Sequence, residues 1–91
     1  MMTTVEIPSP LRQYCDGASE IRLSGATPNA ILKAMEESHP ELHRCVCNET
    51  GRVRPHVNLF INSNLIRGDE QFNETLQRGD VIGIFQAVSG G

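Results

Sequence analysis

The 91 residues carry a net charge of -3 and form at most one small domain, burying roughly 60 to 65 % of its unfolded surface. That charge excludes a binder of nucleic-acid backbones, which needs a basic surface, and 4 % aromatics without Trp leave no platform for stacking bases. A hydrophobic share of 38 % with 21 % charged residues is the balance of a chain that folds, and no apolar run approaches the roughly 18 residues of a membrane span.

"MMTTVEIPSP" has neither the basic start nor the apolar run of a secretion signal, so the sequence predicts a cytosolic protein. An odd set of cysteines, Cys15, Cys45 and Cys47, fits reduced thiols there better than a disulfide framework.

In chain order, Val5 and Ile7 alternate with Thr4 and Glu6, the period of a half-buried strand that Pro8 and Pro10 end. Turn residues in "YCDGAS" lead to a second alternation at Ile21 and Leu23, and the opening reads as a β-hairpin. "ATPNAILKAMEESHP" is a helix: Thr27 serves as N-cap and Pro28 takes the first helical position. Ile31, Leu32 and Met35 with Ala34 make its apolar stripe, Lys33, Glu36 and Glu37 face water, and Pro40 stops it.

From Glu41 to Pro55 no period is visible, which predicts an irregular loop with room for one short helical turn around Leu42. "HVNLFIN" is a strand with Val57, Leu59 and Ile61 on one face and Asn58, Phe60 and Asn62 on the other, followed by an "NSN" turn and a short "LI" strand. After the polar "RGDEQFNETLQ", Gly79 supplies positive φ before the last strand, in which Ile82 and Ile84 oppose Val81, Gly83 and Phe85. Two strands, a helix and several short strands predict an α+β roll, one helix across a small mixed sheet of four to five strands, over residues 1–86. Residues 87–91, "AVSGG", would form a free C-terminal tail.

Several constellations have ordinary readings. His39, His43, Cys45 and Cys47 offer four soft ligands, but the single residue between the two cysteines makes joint chelation of zinc awkward. No metal or cofactor is therefore expected on the chain itself. Cys15 has no base or orienting group fixed beside it, and Asp69, Glu70 and Asp80 suit solvated turns better than a paired acid and base. The "RGD" at Arg78 to Asp80 reads as the turn into the last strand, not as an adhesion motif.

"IPSPLR", "VNLFINSNLIR", "TLQRGDVIGIF" and the terminal "AVSGG" together resemble the MoaD/ThiS family of ubiquitin-like sulfur carriers, typified by the small subunit of molybdopterin synthase and the thiamine-pathway carrier. Length and the insertion before "HVNLFIN" are most similar to the cysteine-biosynthesis branch. The sequence departs from that pattern at Phe85-Gln86, where the family commonly has Leu-Pro or Phe-Pro, and at Gly83, where a larger residue is usual. A strand glycine either weakens the strand or admits a close neighbour.

The resemblance implies a ubiquitin-like β-grasp roll and a protein cosubstrate that is not itself an enzyme and is monomeric when free. An E1-like adenylyltransferase would use ATP and Mg to activate Gly91, a persulfide or sulfide donor such as a sulfurtransferase would convert it to a thiocarboxylate, and a biosynthetic enzyme would accept the sulfur. No nucleic acid and no membrane enter that scheme.

Gly90 and Gly91 then have a physical role, since a terminus entering an active-site tunnel needs no side chain near the reacting carbon and freedom to bend. The five residues Ala87, Val88, Ser89, Gly90 and Gly91 extend to at most roughly 17 Å, enough to thread a buried site. Phe85 is the expected docking residue on the last strand, and Phe60 its possible neighbour. Two other readings share these features: a ubiquitin-like modifier joined through Gly91 to lysines, and a binding subunit with an inert tail.

Overall fold

The computed structural model describes residues 2–86. Strand β1 (Met2–Glu6) pairs antiparallel with β2 (Glu20–Ser24), as the two alternating segments predict. Their connection is longer than a simple turn. Pro8 and Pro10 open a 3-10 helix over Ser9–Cys15 that buries Leu11 and Cys15, and the chain reverses through Asp16 and Gly17, both with positive φ. Cys15 is therefore a core residue of that helix and not a turn residue.

Helix α1 (Pro28–Ser38) follows its sequence signals closely. The Thr27 hydroxyl accepts a hydrogen bond from the Ala30 N–H at 3.1 Å, and Ile31, Leu32 and Met35 are buried. Pro40 does end this helix, but it also begins the next. The segment expected as an irregular loop contains α2 (Pro40–Val46), and the reason lies in proline's two roles. Its ring cannot continue a helix, yet its fixed φ suits a first helical position. Leu42 and Val46, one turn apart, are completely buried.

The remainder of the segment is ordered by Asn48, whose Oδ1 accepts from the N–H groups of Thr50 (2.9 Å) and Arg52 (3.1 Å). This turn brings Val53 back beside Cys47.

Strand β3 (Val57–Ile61) leads through Asn62 and Ser63 into β4 (Asn64–Leu65), and the polar stretch after it forms a short helix, α3 (Gly68–Phe72), that the sequence reading left unassigned. Gly79 takes φ +90° as expected, and Asp80 accepts the Gln77 N–H at 2.8 Å, closing the turn into β5 (Val81–Gln86). That is the structural role of the "RGD" turn.

The five strands form one mixed sheet in the order β2-β1-β5-β3-β4. Only the central β1–β5 pair is parallel. Val5, Leu23, Val57, Leu59, Ile82 and Ile84 line the inner face and join Ile31, Leu32, Met35, Leu42 and Val46 from the helices in one core. Among the described residues no helix is long and apolar enough to cross a membrane.

Candidate functional site

With helices on the inner face, the outer face of the sheet is open where β5 and β3 pair. Antiparallel register sets Phe85 opposite Asn58 and Phe60 opposite Gly83, so the two aromatics are diagonal neighbours on one face. Their centroids lie 5.1 Å apart with planes at 84°, an edge-to-face contact favoured by the ring quadrupoles. Phe60 is half-buried, whereas Phe85 leaves 55 % of its surface in solvent. Asn58, Asn62 and Ser63 complete the shallow depression around them.

Gly83 explains the posture of Phe85. A Cβ at this position would come within 3.3 Å of the Phe85 Cε2, so the missing side chain lets the ring lie back over the strand. Of the two consequences expected of this glycine, close approach is therefore present. The neighbour is a side chain of the same strand.

Phe85 and Phe60 are thus brought together on the face where the sequence placed them. Ala87, Val88, Ser89, Gly90 and Gly91 lie outside the described residues. β5 is the strand that runs on into them, through Phe85 and Gln86.

The four candidate ligands of the "HPELHRCVC" stretch do not gather at one point, although His43 and Cys47 line a common depression. His39 Nδ1 lies 2.8 Å from the Ser38 hydroxyl, His43 is buried in α2, and Cys47 is buried beyond its end. Among the described residues no three His, Cys, Asp or Glu side chains are grouped to hold a metal ion.

Burial pushes the Cys47 thiol up from 9.0 to about 11, the Glu36 carboxylate adding to the shift and Arg54 opposing it. The folded protein thus keeps this thiol neutral at a pH where the unfolded chain ionises it. The resulting stability is complete below pH 9 and is lost as pH rises through about 11. We expect a loss of about 2 to 3 kcal/mol over that interval, read from urea unfolding midpoints, with a flatter alkaline limb in Cys47→Ala. Equal slopes in both proteins would refute it. Burial also raises the Cys15 thiol, whose Sγ donates to the Ala18 carbonyl at 3.5 Å, so neither buried cysteine is placed as a nucleophile.

Comparison with known proteins matches residues 5–91 to the model of the ThiS family. The chain belongs to this family. A relative with the same span is the sulfur carrier protein CysO of Mycobacterium tuberculosis, 27 % identical over 93 residues that cover 100 % of both chains.

Two solved structures extend the likeness. A chain of the Amycolatopsis orientalis BexX/CysO complex superposes with TM-score 0.80 at 29 % identity, over 98 % of this chain and 99 % of that one. Small archaeal modifier protein 1 of Methanosarcina acetivorans gives 0.83 at 28 % identity, over 99 % and 96 %. The roll is the ubiquitin-like β-grasp fold, and the ThiS match runs through Gly91.

Proposed function

We propose that this member of the ThiS family is a sulfur carrier that works as a protein cosubstrate, with the Gly91 carboxylate as its reacting group and residues 87–91 as the thread that delivers it. The observation carrying this reading is that the family match extends from the first strand through the terminal Gly90-Gly91 pair. The protein acts in the cytoplasm and is monomeric when free, and the receiving pathway is a sulfur-accepting biosynthetic one.

The chemistry begins from an α-carboxylate of pKa about 3.3 to 3.7, an anion at neutral pH that resists nucleophiles. In the proposed first step a Gly91 carboxylate oxygen attacks the α-phosphorus of ATP on an E1-like partner, and pyrophosphate leaves. Hydrosulfide from a sulfur donor then attacks the carbonyl carbon of the acyl-adenylate, AMP leaves with the bonding electrons, and a proton is released to leave a thiocarboxylate. ATP and Mg belong to the partner. This chain supplies the electrophilic carbon and a docking face.

Incubation with ATP, Mg, sulfide and the E1-like adenylyltransferase encoded in the same genome should raise the intact mass by one oxygen-to-sulfur exchange. An unchanged mass alongside active enzyme overturns the reading. The likeness to a small archaeal modifier favours a second reading, conjugation of Gly91 to lysines. Isopeptide-linked products, with no thiocarboxylate, would select it.

Phe85 and Phe60 form the apolar centre of the proposed docking face. Phe85→Ala should raise the KM for the carrier in ATP–pyrophosphate exchange about tenfold or more at unchanged kcat. Its melting temperature should change little, because 55 % of the residue is already in water. An unaltered KM would remove Phe85 from the interface.

A further inference from the structure

The outer face carries a second feature beside the aromatic pair. Glu6 and Glu20 stand directly opposite each other in the β1–β2 register, both exposed on the face that holds Phe85. Like charges in that relation oppose strand pairing, and a change of either residue would relieve them. Glu6 is also paired with Gly83 across the parallel β1–β5 ladder, and its Oε1 reaches to 3.8 Å from where a Gly83 Cβ would stand. The carboxylate and the Phe85 ring therefore share the space that Gly83 leaves open.

The result is a notch of about 310 Å³ lined by Glu6, Glu20, Arg12, Gly83 and Phe85 among others. Two cations lie close to it. Arg12 is turned to its own chain, with Nε donating to the Ile7 carbonyl at 3.0 Å, and Arg22 stands in the next row of the sheet, opposite Thr4. The lining itself carries two carboxylates and one guanidinium, with Arg22 outside it.

Resting on the carrier reading, we propose that the activating partner inserts a basic side chain, a guanidinium or ammonium group, between Glu6 and Glu20 beside the Phe85 ring. Charge complementarity defines this occupant. A cation there relieves the opposed carboxylates and also meets the aromatic ring, an attraction that grows when partner binding excludes water. Position ties the occupant to the activating reaction, because Gly83 and Phe85 lie on the strand that continues into residues 87–91. The apolar pair supplies contact area, and the acidic notch sets orientation and partner choice.

The test is ATP–pyrophosphate exchange by the E1-like adenylyltransferase of the same genome, with wild-type carrier, the neutral double variant E6Q/E20Q and the charge-reversed Glu20→Lys. Both variants should raise the carrier KM about tenfold at low salt with kcat unchanged, and both should flatten its rise with ionic strength. Glu20→Lys should melt no lower than wild type, since Glu6 gains an opposite charge across the strands.

A KM within about twofold of wild type and an unchanged salt slope overturn the notch while leaving the carrier reading in place. A wild-type chain that supports no exchange overturns the carrier reading and the notch with it.

Discussion

Gly91→Ala is expected to cut adenylation at least about 100-fold while leaving the domain as stable as wild type. The methyl group would sit on the carbon that bears the attacking carboxylate. There it would restrict φ and ψ at the residue that must bend toward the α-phosphate, and it would fill space beside the reacting atom. A displacement of the attacking carboxylate oxygen by about 1 Å is enough for a loss of that size. Stability should not follow, because every strand and core side chain of the described domain lies within residues 2–86.

The measurement is ATP–pyrophosphate exchange beside a thermal melt. Normal exchange with the variant would mean that the terminal carbon does not enter a closed site, and the proposed role of the diglycine would fall. Loss of exchange with a lowered melting temperature would place residue 91 in the fold, which also contradicts the proposal. Since Phe85→Ala acts through KM and Gly91→Ala through the chemical step, the two variants separate docking from reaction.

How far the sequence led can be read from particular residues. The Thr27-Pro28 start and the stripe of Ile31, Leu32 and Met35 specified α1 because its cap and its period are local properties. Gly79 was legible for the same reason: the turn before β5 needs positive φ, and glycine adopts it without strain. Alternation set Phe85 and Phe60 each on the face of its own strand opposite the aliphatic stripe, and the β3–β5 register makes them neighbours.

What escaped the reading depends on packing or on residues with two roles. Pro40 terminates one helix and starts another, so its stop signal concealed α2, and α2 is too short to show a period of its own. α3 is only five residues long, with no fully buried side chain to mark it. The 3-10 helix between β1 and β2 was hidden by prolines that also end a strand.

The notch could not be seen from the sequence because it needs register twice. Glu6 must face Glu20 across one ladder and Gly83 across another, and neither pairing is local. The signal that was present was Gly83 itself, a glycine in a strand.

The corrected helix makes the last prediction the most direct test of the fold. Leu42→Ala should destabilise the domain by about 3 kcal/mol, within the 2 to 5 kcal/mol usual for emptying a buried leucine site. Leu42 has no solvent exposure and belongs to the same core as Val46 and Met35, so its truncation leaves a cavity that short helices can close only in part. In a domain of this size each kcal/mol is worth roughly 4 to 8 °C, so the melting temperature should fall by about 12 to 24 °C.

The neighbouring exposed Glu41→Ala should stay within about 0.5 kcal/mol of wild type. If residues 41–55 were a loose loop outside the core, the two variants would behave alike. Leu42 packs on the helical side of the sheet, opposite the face that holds Phe85, Glu6 and Glu20, so below its transition the Leu42 variant should keep the wild-type carrier KM. A raised KM in the folded variant would show that α2 takes part in docking as well as in the core.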